Sequence, residues 1–119
     1  MHEQFYCDTI RAGKALLGEK PFGIDKAAND AILQAVSERP DVFVRCTSEF
    51  PYYPAVQKMI SWAKEGKYGK IIEVRSGFHH SSDMDLKKPI NWKRQIKTNG
   101  EYGCLGDLGI HTQHVPFKL

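Results

Sequence analysis

The sequence lacks any pairing pattern for cysteine, any long apolar run and any glycine-rich phosphate loop. Its three cysteines, Cys7, Cys46 and Cys104, stand far apart. An odd number at wide spacing, with no C-x-x-C, excludes a disulfide scaffold and a zinc knuckle. Reduced thiols and a cytoplasmic compartment are the expectation. The apolar runs are too short for a membrane-spanning helix. Met1-His2-Glu3-Gln4 offers neither a basic n-region nor an apolar h-region, which argues against a signal peptide at this start. Neither G-x-G-x-x-G nor G-x-x-x-x-G-K-[ST] occurs, and Gly66-x-x-Gly69 reads as a helix stop and a strand start. Excess charge is also small, with 17 Lys plus Arg against 14 Asp plus Glu. The basic residues are spread along the chain, so a nucleic-acid partner is not expected.

What is present is an ordinary globular composition. The 119 residues are 41% hydrophobic and 26% charged, enough for one modest domain with a real core. Residues 3–12 read as a helix closed by Gly13. Lys14-Ala15-Leu16-Leu17 has the length and character of a strand, followed by Gly18. Asp25 is a good N-cap for a helix in which Ala28, Ile32, Ala35 and Val36 recur at helical spacing, with Pro40 just beyond its end. Residues 41–46 form a β-rich run. Pro54 suits the first turn of a further helix whose apolar face is Val56, Met59, Ile60 and Ala63, ended by Gly66. Ile71 to Phe78 alternates as a strand. Residues 79–101 show no periodicity, and a loop of that length is usually functional or mobile. From Tyr102 the pattern is helical until Pro116. This alternation predicts an α/β fold with a parallel sheet and helices packed on it. Three strands behind an opening helix leave sheet edges uncovered, so the sequence reads as the middle of something longer.

Two groups of residues carry chemistry. Gly18-Glu19-Lys20-Pro21 directly follows the first strand, and ligands in α/β sheets sit at the carboxyl ends of strands. A lysine held there can donate to a substrate hydroxyl or carbonyl oxygen and take part in proton transfer. Pro21 fixes the backbone and permits a cis bond. The same tripeptide also reads as a plain charged turn. Gly100-Glu101-Tyr102-Gly103-Cys104-Leu105-Gly106-Asp107-Leu108-Gly109-Ile110-His111 places Asp107 and His111 four apart on a helix, where a carboxylate orients an imidazole for acid/base work. A capping or surface Asp/His pair is the competing reading. In Trp92-Lys93-Arg94, Arg94 can clamp a phosphate or polar substrate and Trp92 can stack on a planar group, or the tryptophan simply anchors the loop. His79-His80 and His111-x-x-His114 lack metal-ligand spacing, and no metal site is expected.

Taken together, these residues resemble the Gfo/Idh/MocA family, the glucose–fructose oxidoreductase and inositol dehydrogenase group. Ala12 to Gly23 resembles that family's AGKHVLCEKP segment. Pro54-Ala55-Val56-Gln57-Lys58 followed by Gly66-Lys67-Tyr68-Gly69-Lys70-Ile71 resembles the helix and strand that cross between its two domains. Gly103 to His111 resembles its GGxxxDxGxH helix, with Gly100-Glu101-Tyr102-Gly103 departing from the paired glycines that open it. His2 matches a histidine often found where the helix before the EKP strand begins. The resemblance covers essentially the whole chain and corresponds to the central third of such an enzyme.

The resemblance implies the second half of a Rossmann-like parallel sheet over residues 1–50. It implies a crossover helix and the beginning of an α+β substrate and oligomerisation domain over 51–119. NAD or NADP would be the cofactor of the complete enzyme and a sugar- or polyol-like alcohol or carbonyl its substrate, in a homo-oligomer. Lys20, Asp107 and His111 would be the catalytic residues. Lys20 would contact substrate hydroxyl and nicotinamide ribose, His111 would take or give the hydroxyl proton, and Asp107 would bind substrate and orient that group. Glu19, Lys20 and Pro21 would be cofactor-binding residues, and Trp92 and Arg94, from their own stacking and clamping chemistry, are candidates for the same role. The glycine fingerprint is absent, so the isolated chain is expected to be inactive and to bind dinucleotide weakly. The alternative is a non-catalytic α/β module of the same descent, used for dimerisation or binding.

Overall fold

The computed structural model describes residues 2–119. It divides into two compact units. The first comprises residues up to Thr47 together with Ile90–Asp107, and the second Ser48–Pro89 with Leu108–Leu119.

The first unit opens on α1 (His2–Arg11), whose buried Tyr6, Cys7 and Ile10 share one face by their three- and four-residue spacing. Gly13 ends it with φ of 73°. Its N–H donates to Ile10 O at 2.9 Å and that of Lys14 to Thr9 O at 3.1 Å, the paired closure that a left-handed glycine makes possible. Because Lys14 N is spent on the helix, β1 (Leu16–Glu19) starts two residues later than the sequence suggests. β2 (Val44–Thr47) is likewise displaced, because Val42 N turns back to Arg39 O. The strands run parallel, with Leu16 opposite Val44 and Glu19 opposite Thr47.

A parallel pair needs a crossover, and α2 (Lys26–Glu38) supplies it. The Asp25 carboxylate accepts from Ala28 N at 2.8 Å and starts this helix. Ala28, Ile32 and Ala35 are its buried stripe. The core joins Tyr6, Cys7, Ile10, Leu16, Ile32 and Ala35, with Phe22, Ala31, Val36 and Val44 packed around them. Ile10 and Ile32 are fully buried, each contributing about 2 kcal/mol of apolar burial. At Gly18 a Cβ would stand 2.9 Å from the rings of both Tyr6 and Phe22, so only glycine lets those rings close over the strand. Arg39 forks onto both oxygens of Asp41 and donates to Arg11 O at 2.9 Å, tying the end of α1 to the end of α2.

The second unit contains a 3₁₀ turn, Phe50–Tyr52, and α3 (Pro54–Lys64). Pro54 stands in the first turn and Ile60 is the buried residue of α3. The alternating segment Ile71–Phe78 forms no strand among the described residues. It has strand character but no ladder partner there, and Ile72 is 92% exposed. Among the described residues the sheet therefore has two strands where the sequence suggested three. Residues 79–101, read as featureless, hold a 3₁₀ turn at Trp92–Arg94 and the short α4 (Ile96–Asn99), both in the first unit. The helix expected from Tyr102 is not uniform. After a helical start at Gly103–Cys104, Leu105–Gly109 winds as a π-type turn that leads into α5 (Ile110–Gln113). Glycines at 106 and 109 give α-helix little support, and single π turns often mark functional segments.

Candidate functional site

In the first unit the residues after β1 are pinned from several sides. Tyr6 Oη donates to Glu19 O at 2.9 Å, and Thr47 Oγ1 shares its one proton between Gly18 O at 3.0 Å and the Glu19 carboxylate at 2.9 Å. The His2 ring, stacked on Tyr6 at 5.1 Å, places Nδ1 2.9 Å from Pro21 O. The Lys20–Pro21 peptide is cis. Lys20 is thereby held just beyond the carboxyl end of its strand.

Facing it is the 90–107 segment of the same unit. Asn91 Oδ1 accepts from Lys93 N at 3.0 Å and its carbonyl accepts from Arg94 N at 2.8 Å, which fixes the Trp92–Arg94 turn. The Thr98 hydroxyl donates to Trp92 O. These bonds orient Lys93 and Arg94 onto Asp107, whose side chain is 6% exposed. Lys20 Nζ donates to Asp107 O at 2.6 Å and to Oδ1 at 3.1 Å. Lys93 Nζ reaches Oδ1 and Arg94 Nη1 reaches Oδ2, each at 3.3 Å. Burial alone would raise the pKa of this carboxyl. The hydrogen bonds and charge of Lys20, joined by Lys93 and Arg94, outweigh burial and hold Asp107 below its ordinary value, so it is a carboxylate.

A cavity of about 690 Å³ opens beside this cluster. Its lining includes His2, Glu19, Lys20, Pro21, Trp92, Lys93 and Asp107, a size that admits a small polar ligand or one end of a larger one. An ammonium has three donors, and two of those of Lys20 rest on Asp107. Its third is available to an oxygen in the cavity. Glu19, Lys20, Pro21, Trp92 and Asp107, all singled out in the sequence, thus meet at one cavity, with Arg94 bound to Asp107.

Lys93 is the participant that the sequence left without a role. It stands between Trp92 and Arg94, but nothing in its spacing marks it as a partner of a carboxylate fourteen residues later. His2, Thr98 and Asn99 also line the cavity. The one hint among them was the match of His2 to a family position.

His111 lies in the second unit and is 7% exposed. Its ring stacks on Phe50 with centroids 4.4 Å apart and planes at 27°, and Phe78 lies 5.9 Å away. Nearby, Ser48 Oγ is 2.7 Å from His114 Nε2, and Ser76 Oγ donates to Thr112 O at 3.1 Å. Among the described residues no group of three or more His, Cys, Asp or Glu side chains is arranged to hold a metal ion. No helix there is long and apolar enough to cross a membrane. The cysteines are free thiols, Cys7 buried and Cys46 and Cys104 exposed.

No family model matches the chain. A glucose-6-phosphate 3-dehydrogenase of Bacillus subtilis (strain 168) is 26% identical over 110 residues, covering 92% of this chain and 31% of that enzyme. Among solved structures, an NAD binding oxidoreductase from Klebsiella pneumoniae superposes with a TM-score of 0.90 at 26% identity. A levoglucosan dehydrogenase in complex with NADH gives 0.85 at 26% identity, and its complex with NADH and L-sorbose gives 0.86 at 27%. Each match covers 99% of this chain and 31% of the other. The chain thus spans about a third of the length of the proteins it matches, and its fold is the α/β fold of that portion of NAD-binding oxidoreductases.

Proposed function

We propose that this chain is the central portion of a Gfo/Idh/MocA-type oxidoreductase that moves a hydride between NAD or NADP and a sugar- or polyol-like alcohol or carbonyl. The observation that carries the reading is the Lys20–Asp107 pair, held at the carboxyl end of β1 on the wall of a cavity. The matched proteins support the substrate class, because they include a glucose-6-phosphate 3-dehydrogenase and a levoglucosan dehydrogenase in complexes with NADH and L-sorbose or levoglucosan.

The lining fits the nicotinamide end of such a cofactor, which when bound supplies the hydride acceptor. Glu19, Lys20 and Pro21 would line its ribose. Trp92 offers a flat face at the cavity, and Arg94 acts through its hold on Asp107. Lys20 donates its remaining N–H to the substrate oxygen and favours negative charge developing there. Asp107 keeps that ammonium aimed and binds substrate. His111 is the group proposed to take the hydroxyl proton at an imidazole nitrogen and return it in the reverse direction. Residues 1–50 are assigned to the cofactor domain and 51–119 to the crossover helix and the start of the substrate domain. A cytoplasmic homo-oligomer completes the proposal, in keeping with three free thiols and with Leu17 and Phe43 exposed beside the sheet. The non-catalytic module is less favoured, because a binding module has no need of a buried Lys–Asp pair on a cavity wall.

The test is a nicotinamide absorbance assay of the complete gene product with both cofactors over aldoses, sugar phosphates, anhydrosugars and polyols. Reduction with at least one sugar is expected, with the 119-residue chain alone inactive and weak in dinucleotide binding. Silence of the complete product across the panel would reject the reading.

A further inference from the structure

We infer that Phe50 is the positioning residue for His111, the side chain that fixes the plane of its imidazole. The inference rests on the proton-transfer role proposed above. Among the rings packed around His111, that of Phe50 is closest and most nearly parallel, at 4.4 Å and 27°. A ring stacked at that distance restrains the plane of the imidazole. Phe50 is itself held. Tyr53 packs on it at 5.4 Å and Phe78 meets it edge-on at 5.6 Å. Phe78 touches His111 as well, at 5.9 Å, so the three rings close a triangle. The turn that carries Phe50 is short and fixed, with Tyr52 N donating to Glu49 O at 2.8 Å and Pro51 buried within it. A proton acceptor must keep its nitrogen aimed through the reaction, and misplacement by about 1 Å costs up to about a hundredfold in rate. His111 sits on a four-residue helix that follows a glycine-bearing π turn, so its backbone supplies little rigidity. The aromatic triangle supplies it instead.

The experiment compares Phe50→Leu, which keeps apolar bulk but removes the ring plane, with Phe50→Tyr, which keeps the plane. Histidine ring proton resonances are recorded on the protein, and kcat and KM on the complete gene product. In the parent and in Phe50→Tyr, the His111 ring protons lie upfield of the positions of a free imidazole from the stacked ring current. In Phe50→Leu that displacement is lost, kcat falls about tenfold and the KM for the nicotinamide cofactor is unchanged. Ring resonances unmoved by Phe50→Leu, or moved with kcat unaltered, would overturn the inference. A parent that transfers no hydride to any sugar rejects the functional reading instead, and the resonances alone then decide whether Phe50 holds the ring.

Discussion

The two units each bury one polar side chain of the glycine-rich motif, and the surroundings of the two differ. Asp107, its side chain 6% exposed, is met by three cations. His111, 7% exposed, is met by aromatic rings. The difference follows from chemistry. A carboxylate taken from water needs donors and opposite charge, without which it would take up a proton. An imidazole can stay neutral, so rings can shelter it. The first unit therefore holds a carboxylate among cations and the second an imidazole packed against rings.

The contrast can be broken most severely by removing the ammonium. Lys20→Met should lower turnover by about a thousandfold, within the range for loss of an aimed donor, with cofactor affinity much less affected. Steady-state kinetics on the complete gene product would check this, and equal turnover in the variant would remove Lys20 from the mechanism.

Asp107→Leu leaves Lys20, 15% exposed, without its counter-charge. It should destabilise the protein by about 3 kcal/mol in urea unfolding, because a stranded buried charge is costlier than a lost bond. Lys93 contributes little to that cost, since it is 40% exposed and can turn to water. The same pair sets an acid limit. The folded pKa of Asp107 is depressed below 3.8, so its contribution is complete above the unfolded value and is lost as pH falls through the folded one. Asp107→Asn should therefore flatten the parent's stability loss below about pH 4.

His111→Phe sharpens the comparison from the other side. Because a phenyl ring keeps the packing against Phe50 and Phe78, it should cost about 1.5 kcal/mol, about half of the Asp107→Leu effect, while turnover is lost. The smallest effect is expected far from either group. Asp25→Ala removes the N-cap of α2 and should cost about 1 kcal/mol, with kcat unchanged.

Much of the first unit was legible because its signals are local. Gly13, Asp25 and the 28–32–35 stripe each act within one or two turns, and each stands where the spacing places it. Gly18 was placed after the strand, whereas it lies within β1, and the two rings that close over it come from residues the local pattern does not link to it. Ile71–Phe78 misled because alternation reports strand character and not the presence of a partner. The return of residues 90–107 to the first unit had no periodic signature, since it rests on ion pairs with Asp107 and on a turn capped by Asn91. That is why Lys93 went without a role while Lys20 and Asp107, each inside a recognisable motif, did not.

The most direct test of the central claim is to follow the label. The complete gene product is incubated with NAD or NADP and sugars deuterated at their carbinol carbons, and the nicotinamide is recovered for mass analysis. The account predicts deuterium on the nicotinamide ring with at least one sugar, and its loss in Lys20→Met. Recovery of unlabelled nicotinamide with every sugar, or undiminished labelling without Lys20, would contradict it.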